Sequence, residues 1–187
     1  MEERAQRIVD TAAELAEQGG FEAVRLRDVA AEAGVALGTL YRRFRSKEDL
    51  LVAALEIEMT ALEERLVQTP IRGTSAFERV VRFFDFATRA LCRRPNLARA
   101  CIRASSCGDP EVAQRVANFQ KRGRRLIRTA LAGDDPKTPR IAADCATTLQ
   151  LVWMGSLVGW SGNLHSQADV IRHTRDAAAR VLASGDA

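Results

Sequence analysis

The chain has 187 residues, 47% of them apolar and 28% charged, with a formal net charge of +4. That is enough for a real core in one large domain or in a small domain on a larger one. The polar, acidic N-terminus lacks the apolar stretch of a signal peptide. The longest apolar run, Leu149 to Trp160, is broken by Gly155, Ser156 and Gly159 and falls short of the ~20 residues that span a bilayer, so the expected compartment is the cytoplasm.

The charge is unevenly distributed. Residues 1–22 carry a net −4, whereas residues 25–47 carry Arg25, Arg27, Arg42, Arg43, Arg45 and Lys47 against Asp28 and Glu32, a net +4. A basic patch beside an acidic helix makes a directional surface that the average conceals.

Apolar residues recur at spacings of three and four throughout, and no segment alternates for long, so the predicted fold is all-α. Ile8, Ala12, Leu15 and Ala16 line a first helix that Gly19-Gly20 closes, because glycine enters the left-handed region without a Cβ clash. Val29, Ala30 and Ala33 mark a short second helix stopped at Gly34. Leu40 and Phe44 mark a short third. Ser46, with Asp49 three residues on, reads as a capping box opening a long fourth helix through Leu50, Leu51, Ala54, Leu55, Met59, Leu62 and Leu66. After a break at Thr69 to Thr74, helices are predicted over 75–93, 95–106, 109–132, 138–161 and 166–184, punctuated by Pro95, Gly108-Asp109-Pro110, Gly133 to Pro139 and Gly162-Asn163. The domain reading is 1–46 and 47–187, joined through the fourth helix.

A short helix, a glycine turn and a second short helix make a helix-turn-helix. Setting Leu40 inward at 100° per residue places Phe44 beside it. Gly38 and Arg42 then point out, flanked by Thr39, Tyr41 and Arg45. Arginine suits guanine edges or phosphate, threonine suits thymine methyls, and tyrosine suits phosphate. Arg27 opens the second helix and Lys47 the fourth, where free backbone N–H groups favour phosphate. Spacing and charge alone leave open a helix pair with a merely solvated basic face.

The stretch GVALGTLYRRFRSKEDLL resembles the DNA-binding signature of TetR-family transcriptional repressors, as do the helix before it and the first helix with its Gly-Gly end. The likeness covers roughly the first 55 residues. It implies a homodimer of a nine-helix fold with a small-molecule pocket in the body, binding double-stranded operator DNA. It also implies that Arg27 touches a base or phosphate, that Leu37, Gly38, Thr39 and Tyr41 meet bases and backbone, and that Arg42 or Arg43, with Lys47, holds phosphates. Leu37 stands where some members carry a polar residue. Within the family, ALGTLYRRF, VWMGSLVGW and the HTRDAAARVLASGD end are most similar to KstR-type repressors of sterol catabolism.

The helix at 138–161 is apolar on nearly every side and so must be covered on every side. With the alanine-rich helix at 166–184 it is the expected dimer interface, through Val152, Trp160, Ile171, Thr174, Ala178 and Val181. Met59, Phe83, Phe86, Phe119, Trp153 and Leu157 are candidates for an apolar ligand cavity among the helices at 47–67, 75–93, 109–132 and 138–161. The two phenylalanine stripes at 77–91 read first as core, with a cavity lining as the alternative. Such a cavity suits a hydrophobic effector, lipid-like, sterol-derived or an acyl-CoA. The basic run Lys121 to Arg125 with Arg128, and Arg115 on the same side as Arg122 and Arg125, reads as a solvated face; a phosphate contact to an acyl-CoA is the alternative.

Neither a metal nor another cofactor is expected, since Cys92, Cys101, Cys107 and Cys145 form no CxxC pair and only His165 and His173 accompany them. The cysteines read as reduced, partly buried thiols. Two rival classes remain. A small helical enzyme lacks a nucleophile elbow, since Gly159-Trp160-Ser161-Gly162 is followed by Asn163 instead of glycine. A protein-binding adaptor would have no use for arginines and tyrosine opposite Leu40.

Overall fold

The computed structural model describes residues 2–133 and 141–183. The expected helix boundaries at 138 and 184 fall outside them. Among the described residues there are nine helices and no strand: α1 (Glu2–Ala23), α2 (Leu26–Glu32), α3 (Leu37–Tyr41), α4 (Lys47–Gln68), α5 (Ala76–Leu91), α6 (Pro95–Ala104), α7 (Pro110–Ala132), α8 (Ile141–Ser161) and α9 (Gln167–Ala183). Side-chain caps start many of them. Ser46 accepts from Asp49 N–H at 3.1 Å, Ser75 from Glu78 N–H at 3.1 Å, and Ser166 from Asp169 N–H at 3.1 Å. In the last case the Asp169 carboxylate reaches back to Ser166 N–H at 2.9 Å, completing a capping box. Helix ends follow the glycines and one asparagine. α1 is interrupted at Gly19 and Gly20, the latter at φ 69°, and α8 closes on Asn163 at φ 61°.

The helices form two compact units. The first holds the residues up to Thr60 together with Arg93–Phe119; the second holds Ala61–Cys92 together with the described residues from Gln120 on. This partition by packing differs from the division at residue 46, which follows chain order and role.

In the first unit, Ile8, Val9, Ala12, Ala13 and Ala16 form the buried face of α1, and Leu50 to Leu55 of α4 are buried on every side. α6 is tied to α1 by polar bonds as well as by its buried Leu97, Ala98 and Cys101. Arg94 donates to Ala13 C=O at 2.9 Å and Asn96 to Glu17 C=O at 2.9 Å, while the Glu17 carboxylate accepts from Leu97 N–H at 2.9 Å. That last bond satisfies an otherwise orphaned donor in the first turn of α6. The Cys101 thiol donates to Leu51 C=O at 3.3 Å, and burial pushes it up to about 12, so it stays protonated. Cys145 is also buried, Cys92 half-buried and Cys107 exposed.

The second unit is built on aromatic packing. Phe83 and Phe84 meet edge-to-face at 5.3 Å between centroids, and Phe84 meets Trp153 at 5.7 Å. The Trp153 indole N–H donates to the fully buried Thr88 hydroxyl at 2.9 Å, so the ring is buried without an orphaned donor. Gln150, also buried, donates to Gln120 C=O and accepts from Arg124. Arg79 caps the end of α7 by donating to Ala130 C=O at 3.0 Å and Leu131 C=O at 2.8 Å.

Candidate nucleic-acid interface

The head of the first unit is a helix, a turn and a helix, and the turn is fully hydrogen-bonded. Gly34, at φ 65°, donates to Ala31 C=O at 3.2 Å, and Val35 donates to Ala30 C=O at 2.9 Å. This is a Schellman closure, and its left-handed position accounts for the glycine. It frees the chain to start α3 at Leu37. Val24, Val29 and Leu40 are fully buried beneath, with Phe44 nearly so, and they hold α3 by its inner side.

The outer side carries the residues singled out from the sequence. Gly38, Arg42 and Arg43 are exposed, Leu37 and Thr39 half-buried, and Tyr41 is 50% exposed. A Cβ built at Gly38 meets no atom within 4 Å, so another molecule's backbone can approach there. Arg42 donates to the Thr39 hydroxyl at 3.0 Å, which prepositions both on one face. Beside α3 lies an open groove of ≈ 600 Å³ lined by Val24, Arg25, Leu26, Arg27, Asp28, Tyr41 and Lys47. The structure thus brings Arg27, Tyr41 and Lys47 together although they are far apart in sequence. It adds Arg25, which the charge count contained without a role.

Lys47 is held where it enters this groove. Its ammonium lies 3.9 Å from the centroid of the Phe21 ring and 3.4 Å from Glu22 Oε2. Arg103 of α6 lies 4.1 Å from the same centroid and 2.9 Å from Glu22 Oε1. The hydrogen bond from Lys47, then the charges of Lys47 and Arg103, hold the Glu22 carboxyl below its ordinary value. Nothing local in the sequence links Arg103 to this place. Arg45 pairs with Glu111, and its backbone N–H donates to Asp49.

The candidates for a ligand and a partner fall as follows. Phe83, Trp153 and Leu157 are buried and Phe86 is half-buried in the second unit, while Met59 and Phe119 are buried in the first. Val152, Ile171 and Val181 are half-buried. Trp160, Thr174 and Ala178, also expected at the interface, are buried within the protomer at 7%, 1% and 0% exposure. The physical reason is that small residues on α9 admit α8 and α5 of the same chain as readily as a partner's helix. The apolar surface left open on α8 is instead Leu151 and Val158, at 68% and 52% exposure, with Gly155 between them. These positions repeat at three and four and so share one face.

The basic run is solvated only in part: Lys121, Arg125 and Arg128 are exposed, while Arg115 and Arg122 are half-buried against acids. In the first unit Arg115 bonds Asp49 at 2.7 Å and Glu56 at 2.5 Å. In the second, Arg122 and Arg125 bond Glu63 at 2.6 and 3.1 Å, which with Arg122 as the main cause lowers the Glu63 carboxyl below its ordinary value. Acids on α4 take these arginines. Among the described residues no three His, Cys, Asp or Glu are grouped to hold a metal ion, and no helix is long and apolar enough to cross a membrane.

Residues 8–54 match the family model of bacterial regulatory proteins, tetR family, and residues 73–182 match that of the tetracyclin repressor-like C-terminal domain. The chain belongs to this family and is a DNA-binding transcriptional regulator of the helix-turn-helix class. Its relatives include the HTH-type transcriptional repressor KstR of Rhodococcus jostii (strain RHA1), 38% identical over 90% of this chain and 77% of that protein. A crystallised TetR transcriptional regulator from Rhodococcus sp. RHA1 superposes with a TM-score of 0.82, at 28% identity, over 97% of this chain and 96% of that one. The regulator FadR from Bacillus subtilis, crystallised in complex with stearoyl-CoA, shares the fold at a TM-score of 0.68 and 19% identity, over 94% of this chain and 96% of that one.

Proposed function

We propose that the protein is a repressor acting as a homodimer on a near-palindromic operator and released by an apolar effector. The observation that carries the reading is the outward face of α3 beside the groove of Arg25, Arg27, Tyr41 and Lys47. In it Leu37, Gly38, Thr39 and Tyr41 meet bases and backbone, Arg42 or Arg43 and Lys47 hold phosphates, and Arg27 touches a base or phosphate. One recognition helix per chain needs a second copy to read two half-sites about 34 Å apart. The exposed Leu151, Gly155 and Val158, with half-buried Val152, Ile171 and Val181, supply the apolar surface for that copy.

The effector reading rests on the apolar, aromatic second unit, where Phe83, Phe86, Trp153 and Leu157 offer few charges to a ligand. A sterol-derived or long-chain acyl-CoA fits that chemistry, and the fold shared with a stearoyl-CoA complex favours the same class. α4 and α7 contribute residues to both units, so each is a continuous helical link between ligand and head. Full release, from about 99% to 1% occupancy of the DNA-competent form, requires about 10⁴-fold tighter effector binding to the other form.

The test is anisotropy with DNA flanking the protein's own gene, titrated with fatty acyl-CoAs and sterol-derived acyl-CoAs. Salt-sensitive binding that an acyl-CoA abolishes is the expected result. Binding that no apolar compound alters, but a polar or cationic one does, overturns the effector class and leaves the head assignment standing.

A further inference from the structure

Glu22 is a carboxylate divided between two cations. Lys47 approaches one oxygen at 3.4 Å and Arg103 the other at 2.9 Å. The same two cations share the ring of Phe21, at 3.9 and 4.1 Å from its centroid. Three separate elements meet here: the end of α1, the start of α4 and the end of α6. Lys47 is the enclosed member, with its side chain 27% exposed, against 60% for Arg103 and 71% for Glu22.

We propose that Arg103 is a positioning residue for DNA binding: it occupies Glu22 and so keeps the Lys47 ammonium available to a DNA phosphate in the adjoining groove. The proposal rests on the reading that Lys47 meets phosphate. With Arg103 present the cluster carries a net positive charge. When Lys47 turns to a phosphate, Glu22 keeps a partner, so no unpaired carboxylate is left beside the DNA backbone. Without Arg103, Glu22 and Lys47 neutralise one another. A phosphate must then displace the carboxylate and also meet its repulsion. Guanidinium suits the task because it serves a carboxylate through N–H donors while lying against an aromatic face.

A double-mutant cycle on the full-length protein tests this, read by anisotropy against DNA flanking its own gene at several salt concentrations. Arg103→Gln is expected to weaken binding roughly tenfold, within the range of coupling between contacting residues, and to lower the salt slope. Arg103→Lys should restore part of the loss. In a Glu22→Gln background Arg103→Gln should change little, because the competing carboxylate is gone; in a Lys47→Met background the loss should shrink to the repulsion of the uncovered Glu22 carboxylate alone. A loss that persists undiminished in both backgrounds overturns the proposal, since Arg103 then touches DNA itself or supports the fold. So does an unchanged affinity in Arg103→Gln alone. If Lys47→Met binds DNA as the unaltered protein does, the phosphate reading of Lys47 fails, a result separate from an additive cycle in which Lys47→Met does weaken binding.

Discussion

α3 and α8 each turn one face to solvent, and the two faces are chemically opposite. On α3 the exposed groups are Gly38 and Tyr41, followed by Arg42 and Arg43 in the turn that closes the helix, over a buried Leu40. On α8, past the exposed Thr147 and Thr148, they are Leu151, Gly155 and Val158, over buried Leu149, Trp153 and Leu157. A solvated basic face is stable without a partner and gains one through counterion release. An apolar face of neighbouring leucine and valine meets water at a cost, and covering it removes that cost. The partners should accordingly differ in salt response: association through α3 weakens steeply with ionic strength, and association through α8 does not.

The largest effect is expected from charging the apolar face. Leu151→Glu with Val158→Glu should convert the dimer to monomer by light scattering at micromolar concentration and lower DNA affinity at least a hundredfold. A symmetric interface counts each substitution twice, and burying a leucine or valine is worth about 1.5–3 kcal/mol. The thermal midpoint measured at low protein concentration should scarcely move, since both positions are exposed in the protomer. A variant that stays dimeric would put the interface elsewhere.

Next come the head residues. Tyr41→Ala and Lys47→Ala should each weaken DNA binding about 5- to 30-fold with the dimer intact. Lys47→Ala should do so almost uniformly across sequences and reduce the salt slope by about one unit, as expected when one phosphate is no longer neutralised. Sequence preference changing instead of the slope would make Lys47 a base reader. Raising salt from 50 to 200 mM separates the two faces without mutation: DNA affinity should fall by orders of magnitude while the monomer–dimer equilibrium holds.

The smallest effect concerns pH at the start of α9. Hydrogen bonds from the Ser166 hydroxyl and backbone N–H bring Asp169 down from 3.8 to about 2. A carboxyl depressed in the folded state stabilises it fully above its ordinary value, and this contribution fades as pH falls through about 2. Protection from hydrogen exchange in the first turn of α9, taken relative to the intrinsic rate at each pH, should therefore fall between pH 4 and pH 2. Asp169→Asn, which has no such titration, should show little of that change.

The helices are legible in the sequence because their signals are local. The glycine turn at Gly34, the Ser46 cap and the three-and-four spacing around Leu40 all lie within a few residues of what they determine. Ser75 and Ser166, each with an acid three residues on, carry the same cap signal. The faces of α8 are less legible. A helix apolar all round does not reveal which side its own chain takes, and Trp160 and Val158, two residues apart, fall on opposite sides of that decision. The arginines of α7 mislead for a related reason. Their partners Glu56 and Glu63 lie 59 positions upstream of Arg115 and Arg122. The shared seven-residue step in acids and arginines is a signal for paired helices that charge counting alone does not register. The cluster at Lys47 requires Arg103, which only the docking of α6 on α1 brings near.

Both exposed faces also contain a helical glycine with empty space where a side chain would begin, Gly38 on α3 and Gly155 on α8. Gly159, by contrast, has the His165 ring where an added Cβ would stand. Alanine fits at both open sites and should raise the stability of the isolated chain by up to about 0.5–1 kcal/mol each. Selecting variants for heat resistance alone would therefore fill both positions. The resulting protein would melt later, while its added methyls stood in the way of DNA at one face and of a second copy at the other.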